Sequence, residues 1–211
     1  MNGIGFDEQS ARDGVISGLE RHGLALDDAA LDRLAKWLVL LARHNRRANL
    51  VGPMGLDRLV DEIVCDSLQG LVLLPPTGRM LDVGSGAGVP GTPLACAAPG
   101  IETTWLEPRA KRATFLDVAR RTLQLSGEVV RDRIEGLDES ARFDVLVSRA
   151  VFAPDRWLVE ATWRLSEAGS VLVWVNGADL PAPPAGLVLD RSRAYRLADG
   201  RDRTVASFVA G

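Results

Sequence analysis

Met80-Leu81-Asp82-Val83-Gly84-Ser85-Gly86-Ala87-Gly88-Val89-Pro90-Gly91 decides how the rest of the chain is read: an apolar run ends in four glycines spread over eight residues. Arg79 to Val83, bounded by Thr77-Gly78, reads as a short buried strand. Val89 to Ala98 reads as a helix whose proline, Pro90, sits in the first turn, where a missing N–H is tolerated. Between the two the chain must turn sharply and bring bare backbone close to a neighbour, which glycine permits because it has no Cβ. Strand, glycine turn and helix together frame a nucleotide-type pocket.

Before this stretch the pattern is helical. Asp7 to His22 carries Val15, Ile16 and Leu19. Asp27-Asp28 opens an amphipathic run with Leu31, Leu34, Leu38 and Leu41 at three- and four-residue spacing, reaching about His44. A basic, amide-rich segment, Arg43 to Leu50, precedes the Gly52-Pro53 break. A third helix spans Leu56 to Leu74 before Pro75-Pro76. After the stretch, strands at Glu102–Glu107, Glu128–Arg131, Phe143–Ser148 and Ser170–Val175 alternate with helices at Ala110–Leu125 and Asp155–Leu165. Such alternation predicts a parallel sheet with right-handed crossovers. Leu187–Leu197 and Thr204–Val209, separated by Ala198-Asp199-Gly200, predict a closing antiparallel hairpin. The fold class is α/β, Rossmann-like, with a helical extension over residues 1–76 packed on a core of residues 77–211.

Composition narrows the class. With 211 residues, 46% hydrophobic, the chain can bury a full core, and its net charge of -3 does not by itself advertise a nucleic-acid partner. The start lacks a signal-type apolar segment, and no run approaches the roughly 18 apolar residues of a membrane span, so a soluble cytoplasmic protein without a membrane partner is expected. Cys65 and Cys96 stand far apart in apolar surroundings without metal-type spacing, so they read as reduced core residues and no metal is expected.

The glycine loop allows two cofactors. From Gly86 it satisfies G-x-G-x-x-G, the dinucleotide pattern, with Glu107 at a suitable distance. From Asp82 it reads D-x-G-x-G-x-G, the form that binds S-adenosylmethionine. Both ligands present a ribose diol that donates to a carboxylate, so Glu107 marks an adenosine and not a reaction. The chain after the loop is short for a dehydrogenase with its substrate domain.

The order of segments resembles the bacterial 16S ribosomal RNA guanine-N7 methyltransferases, also called glucose-inhibited division protein B, from about Leu34 to Asn176. The matching pieces are His44 to Leu50, Asp66-Ser67, Leu81 to Leu94, Lys111-Arg112 with Phe115-Leu116, Phe143-Asp144 and Ser148-Arg149-Ala150. Gly88-Val89-Pro90-Gly91 and Ser148-Arg149-Ala150 are the most specific of them. The resemblance implies S-adenosyl-L-methionine as cofactor, in a pocket formed by the loop residues Asp82, Gly84, Gly86, Gly88 and Val89 together with Glu107, Ile134, Glu135 and Arg149. It implies 16S ribosomal RNA, naked or within the small-subunit particle, as partner, with RNA contacts at Arg43, Arg46, Arg47, Asn49, Lys111 and Arg112, and a monomeric protein. Three positions depart from the family pattern toward less positive charge: Glu62 for a histidine, Asn176 before Gly177 for a lysine, and a C-terminus without basic residues. Methylation of guanine N7 needs no general base, because the neutral base carries a lone pair there, so no catalytic residue is assigned; catalysis is positioning. Other readings are a methyltransferase of the same fold acting on a small molecule or protein, a non-catalytic RNA- or nucleotide-binding protein, and a short dinucleotide oxidoreductase. Gly84→Val is expected to abolish cofactor binding in a folded protein.

Overall fold

The structure, a computed structural model, describes residues 5–211, with the Arg46 side chain outside the described residues. Helix α1 (Glu8–Arg21) starts at Asp7, whose carboxylate accepts the Ser10 N–H, and α2 (Asp28–Ala48) starts at Asp27, which does the same for Ala30. Each cap satisfies one of the N–H groups that a helix start leaves open. Helix α2 runs four residues beyond the His44 expected from its apolar spacing, so Arg43 to Arg47 are helical. The extension is closed by Asn45 and Asn49. Asn45 Oδ1 accepts the N–H groups of Leu50 and Val51, while Asn49 takes the left-handed conformation, with φ 47°, that ends the helix.

The expected third helix is broken into four pieces. These are α3 (Leu56–Leu59), a π-helical turn (Val60–Cys65), α4 (Asp66–Leu68) and a 3-10 turn (Gln69–Leu73). The π turn shifts the pairing by one residue, so that the Asp66 N–H bonds the Asp61 carbonyl. Apolar periodicity does not encode such a shift.

Seven strands form one sheet in the order β3-β2-β1-β4-β5-β7-β6. They are β1 (Gly78–Val83), β2 (Ile101–Leu106), β3 (Gly127–Val130), β4 (Phe143–Ser148), β5 (Leu165–Asn176), β6 (Leu187–Arg196) and β7 (Asp202–Ala210). The first five pair in parallel, while β7 lies antiparallel to both β5 and β6. Helices α5 (Gly91–Ala97), α6 (Ala110–Thr122) and α7 (Pro154–Thr162) complete the crossovers. Pro90 does not lie in the first turn of α5 as the spacing suggests; it is the residue before it, joined to Val89 by a cis peptide. The strand order reverses direction between β1 and β4, which puts a crevice at their carboxyl ends.

The N-terminal helices share one apolar cluster with the sheet layer. Leu34, Trp37, Leu38 and Leu41 of α2 belong with Trp105 of β2 and Phe115 and Leu116 of α6. A second tie is polar. His22 Nε2 lies 2.7 Å from Asp61 Oδ1, and Asp61 Oδ2 accepts the N–H of Ala198 in the β6–β7 turn. Among the described residues no helix is long and apolar enough to cross a membrane, and no group of His, Cys, Asp and Glu side chains is arranged to hold a metal ion.

Candidate functional site

At the switch point lies a cavity of about 610 Å³, within the range that binds small ligands. Its floor is the loop after β1, through Gly84, Ser85, Gly86, Ala87 and Val89, and its rim is built by the turns after β2, β3 and β4. Gly84, Gly86 and Gly88 all have positive φ, at 68°, 58° and 93°, so three alternate residues take a conformation that side chains disfavour. A Cβ at Gly86 would make only ordinary van der Waals contacts, 3.5 Å from Arg112 Nη1 and 3.7 Å from the Gly84 carbonyl oxygen. With no side chain at Gly84 or Gly86, the loop presents bare backbone to the cavity.

Glu107, at the end of β2, is 2% exposed and holds the loop from across the cavity. Its Oε2 accepts the Gly86 N–H at 2.9 Å and its Oε1 the Arg109 N–H at 2.8 Å. Each carboxylate oxygen keeps a lone pair for a further donor. A ribose diol is a donor of that kind, and Ile134, buried at the end of the β3 turn, gives the opposite side an apolar surface. The bare backbone, the acceptor and the apolar wall fit an adenosine-bearing cofactor.

Gly84, Gly86, Val89, Glu107, Ile134, Glu135 and Arg149 all line this cavity. Asp82 and Gly88 do not. Asp82 is fully buried behind the loop, where its Oδ2 accepts the Gly91 N–H at 3.2 Å, and a Cβ on Gly88 would run into Thr92. Both residues shape the loop from behind. Burial pushes the Asp82 carboxyl up to about 7; the hydrogen bond from Gly91 opposes the rise, and the nearby Glu107 charge adds to it. Burial likewise pushes the thiols of Cys65 and Cys96 up to about 12, as suits inert core residues.

Arg149 follows β4 and would be costly to bury alone. Its partners come from the helical stretch before β1: Nη1 donates to Asp66 Oδ2 at 2.7 Å and Nη2 to the Glu62 carbonyl at 2.7 Å. The next residue, Ala150, is held at φ 60°, and Val151, 45% exposed, covers Gly84. Phe152 stacks on Trp157 with centroids 6.0 Å apart, and the Arg156 guanidinium lies 5.3 Å above the Phe152 ring. Leu50, the last residue of the His44 to Leu50 segment, lines the cavity too, as do Val51, Ile63, Val151, Phe152 and Arg156, which carry no motif that marks them in the sequence.

The expected RNA-contact residues divide. Arg112 lines the cavity at the switch point and donates to the Asn49 carbonyl at 3.3 Å. Arg47 and Lys111 border a second groove of about 400 Å³ with His44, Thr114 and Phe115, whose rings are 5.4 Å apart in the case of His44 and Phe115. Arg43 is exposed on α2, Asn49 serves as the α2 cap, and the Arg46 side chain lies outside the described residues.

Comparison with known proteins agrees with this geometry. Residues 30–180 match the family model described as rRNA small subunit methyltransferase G. A ribosomal RNA small subunit methyltransferase G from Anaeromyxobacter dehalogenans is 35% identical over 199 residues, covering 90% of this chain and 93% of its own. The protein of that name from Methylobacillus flagellatus is 36% identical over 173 residues, covering 82% and 83%. A Burkholderia thailandensis 1,6-didemethyltoxoflavin-N1-methyltransferase with bound S-adenosylhomocysteine superposes with TM-score 0.54 at 16% identity, covering 69% of this chain and 76% of that one. Coclaurine N-methyltransferase superposes with TM-score 0.53 at 10% identity over 96% and 94% of the chains. At such identities the two structures speak for the methyltransferase fold alone, whereas the sequence matches span most of the chain. The chain belongs to the rRNA small subunit methyltransferase G family.

Proposed function

We propose that this chain transfers the methyl group of S-adenosyl-L-methionine to N7 of a guanine in 16S ribosomal RNA. Gly84, Gly86 and Val89 would hold the cofactor along the loop, Glu107 would accept from its ribose, Ile134 and Glu135 would flank its adenine, and Arg149 would close the far end. The bound cofactor supplies an electrophilic sulfonium methyl.

One observation carries the choice of N7. Among the described residues lining the cavity there is no His, Cys, Lys or Tyr to remove a proton; of its carboxylates, Glu107 already accepts two backbone N–H groups and would spend its remaining lone pairs on the ribose, while Asp132 and Glu135 follow β3, on the side this reading gives to the adenine. Methylation at N1 or N2 of guanine requires loss of a proton, whereas N7 presents its lone pair in the neutral base. The protein then contributes positioning and electrostatics. Val151 and the Phe152–Arg156 stack stand at the cavity mouth, where they can border the incoming base. The exposed cations Arg43, Arg47 and Lys111 offer RNA phosphates a charge-complementary face beside the cavity.

The test is to incubate the purified chain with labelled S-adenosylmethionine and 16S RNA from a strain lacking the methyltransferase, both deproteinised and as small subunits. Nuclease mapping with mass spectrometry should find 7-methylguanosine at one position in at least one substrate. Label appearing at another guanine nitrogen, or in neither substrate, would refute the assignment.

A further inference from the structure

Asp66 does not touch the cavity, yet it is 1% exposed and receives donors from three strand ends. Arg149 Nη1 donates to Oδ2 at 2.7 Å, Tyr195 OH to Oδ1 at 2.5 Å, and Arg203 approaches both oxygens, with Nη2 at 3.3 Å from Oδ2 and Nε at 3.2 Å from Oδ1. The Asp66 backbone carbonyl accepts from Trp174 Nε1 at 2.9 Å, so its main chain is fixed as well. Two arginines on one buried carboxylate leave the cluster with an excess positive charge. An anionic group entering the cavity would neutralise it.

We propose that Asp66 is a positioning residue that acts through Arg149 to set the cofactor site, and that the C-terminal hairpin takes part through Tyr195 and Arg203. The proposal rests on reading the cavity as an S-adenosylmethionine site. The π turn is part of the device. It places the Glu62 carbonyl and the Asp66 carboxylate together on one side of Arg149, and each takes one of its five N–H donors. A guanidinium pinned at two points loses less freedom when its remaining donors meet an anion, which is where preorganisation gains affinity. Without Asp66, Arg149 would face Arg203 across a buried gap with no intervening carboxylate.

S-adenosylhomocysteine binding is measured by calorimetry in wild type, Asp66→Asn, Arg149→Met and the double variant, with thermal melting of each in parallel. Asp66→Asn should weaken binding about tenfold, or about 1.4 kcal/mol, and should change affinity less than about twofold when Arg149 is already methionine. An equal factor in both backgrounds means a general structural role and overturns the proposal. Should Asp66→Asn fail to fold, Tyr195→Phe removes one donor from the same carboxylate and keeps the ring. It should weaken binding about two- to threefold, again only when Arg149 is present; an equal loss in both backgrounds overturns the proposal too. A wild type that binds no S-adenosylhomocysteine overturns the cofactor reading and this one with it. A wild type that binds, with an Asp66→Asn that binds equally well, overturns the positioning role alone.

Discussion

Replacing Asp82 by asparagine should flatten the pH dependence of stability. In the unfolded chain this carboxyl titrates near 3.8, and burial behind the loop raises it to about 7 in the folded protein. The folded state therefore holds the proton more tightly than the unfolded state. The resulting stability is complete below the unfolded value and is lost as pH rises through the folded one. At 1.36 kcal/mol per unit the two values bound an effect of about 4 kcal/mol, of which about 2 kcal/mol is lost between roughly pH 5 and 7. Asparagine does not ionise. Its carbonyl can keep the bond from the Gly91 N–H, but its NH₂ then takes the place of Oδ1, which has no partner among the described residues. That unsatisfied donor costs about 1–3 kcal/mol at every pH. Urea unfolding of both proteins from about pH 5 to about pH 8 separates the two effects, because the constant penalty cancels when the difference is followed against pH. The wild type should lose about 2 kcal/mol relative to Asp82→Asn over that window. Parallel curves would mean that Asp82 is ionised in the folded state near pH 5, and the assignment of a buried neutral acid behind the loop would fail.

Gly86→Ala should weaken S-adenosylhomocysteine binding while lowering stability by only about 1–2 kcal/mol, the strain of a left-handed alanine, since its Cβ makes only ordinary contacts with Arg112 and the Gly84 carbonyl; calorimetry and melting together check this. Gly84→Ala should destabilise more, because its Cβ would strike Val151 as well, and Gly84→Val is for that reason a poor probe of cofactor approach. Glu107→Gln should weaken S-adenosylhomocysteine about tenfold or more by placing an NH₂ against the N–H of Gly86 or Arg109; unchanged affinity by calorimetry would count against the ribose contact. Cys65 and Cys96 should react with an aromatic disulfide reagent only after unfolding, as both are buried with thiols raised to about 12.

The sheet and much of the cavity were legible in the sequence because the signals are local. Glycines after an apolar run, an acid closing the next strand, and β-α alternation each depend on neighbours in sequence, and Gly84, Gly86 and Glu107 stand on the cavity as that pattern implies, whereas Val89 and Ile134, which also line it, are marked only by the family resemblance. The side of the loop that a residue serves was not legible. Asp82 and Gly88 belong to the same motif but face inward, because a tight turn alternates its residues between ligand and support. Helix α2 was underestimated because Asn45 bonds the backbone of Leu50 and Val51, a cap that apolar spacing does not reveal. An arginine directly after an apolar strand, as Arg149 is, implies a partner but not which one. Its partner Asp66 lies 83 positions away, and the two meet only through the sheet topology.

The helical segment before β1 does more than cover an edge of the sheet. Asp61 reaches the β6–β7 turn, Ile63 lines the cavity, and Asp66 holds Arg149, so six consecutive residues contact three parts of the core. Leu50 and Val51 supply another portion of the cavity wall. We infer that residues 77–211 are not an independent unit despite containing the whole sheet. Cutting before β1 would expose Trp105 and Phe115, each about 1% accessible in the intact chain, and remove the carboxylate opposite Arg149. Exposing two such aromatics costs on the order of 4 kcal/mol or more, a large share of a domain's marginal stability. A purified fragment of residues 77–211 should therefore show no cooperative melt and no S-adenosylhomocysteine binding by calorimetry. A fragment that melts cooperatively and binds with wild-type affinity would show that the N-terminal helices are an accessory, and that the cavity is complete without Ile63, Leu50 and Val51.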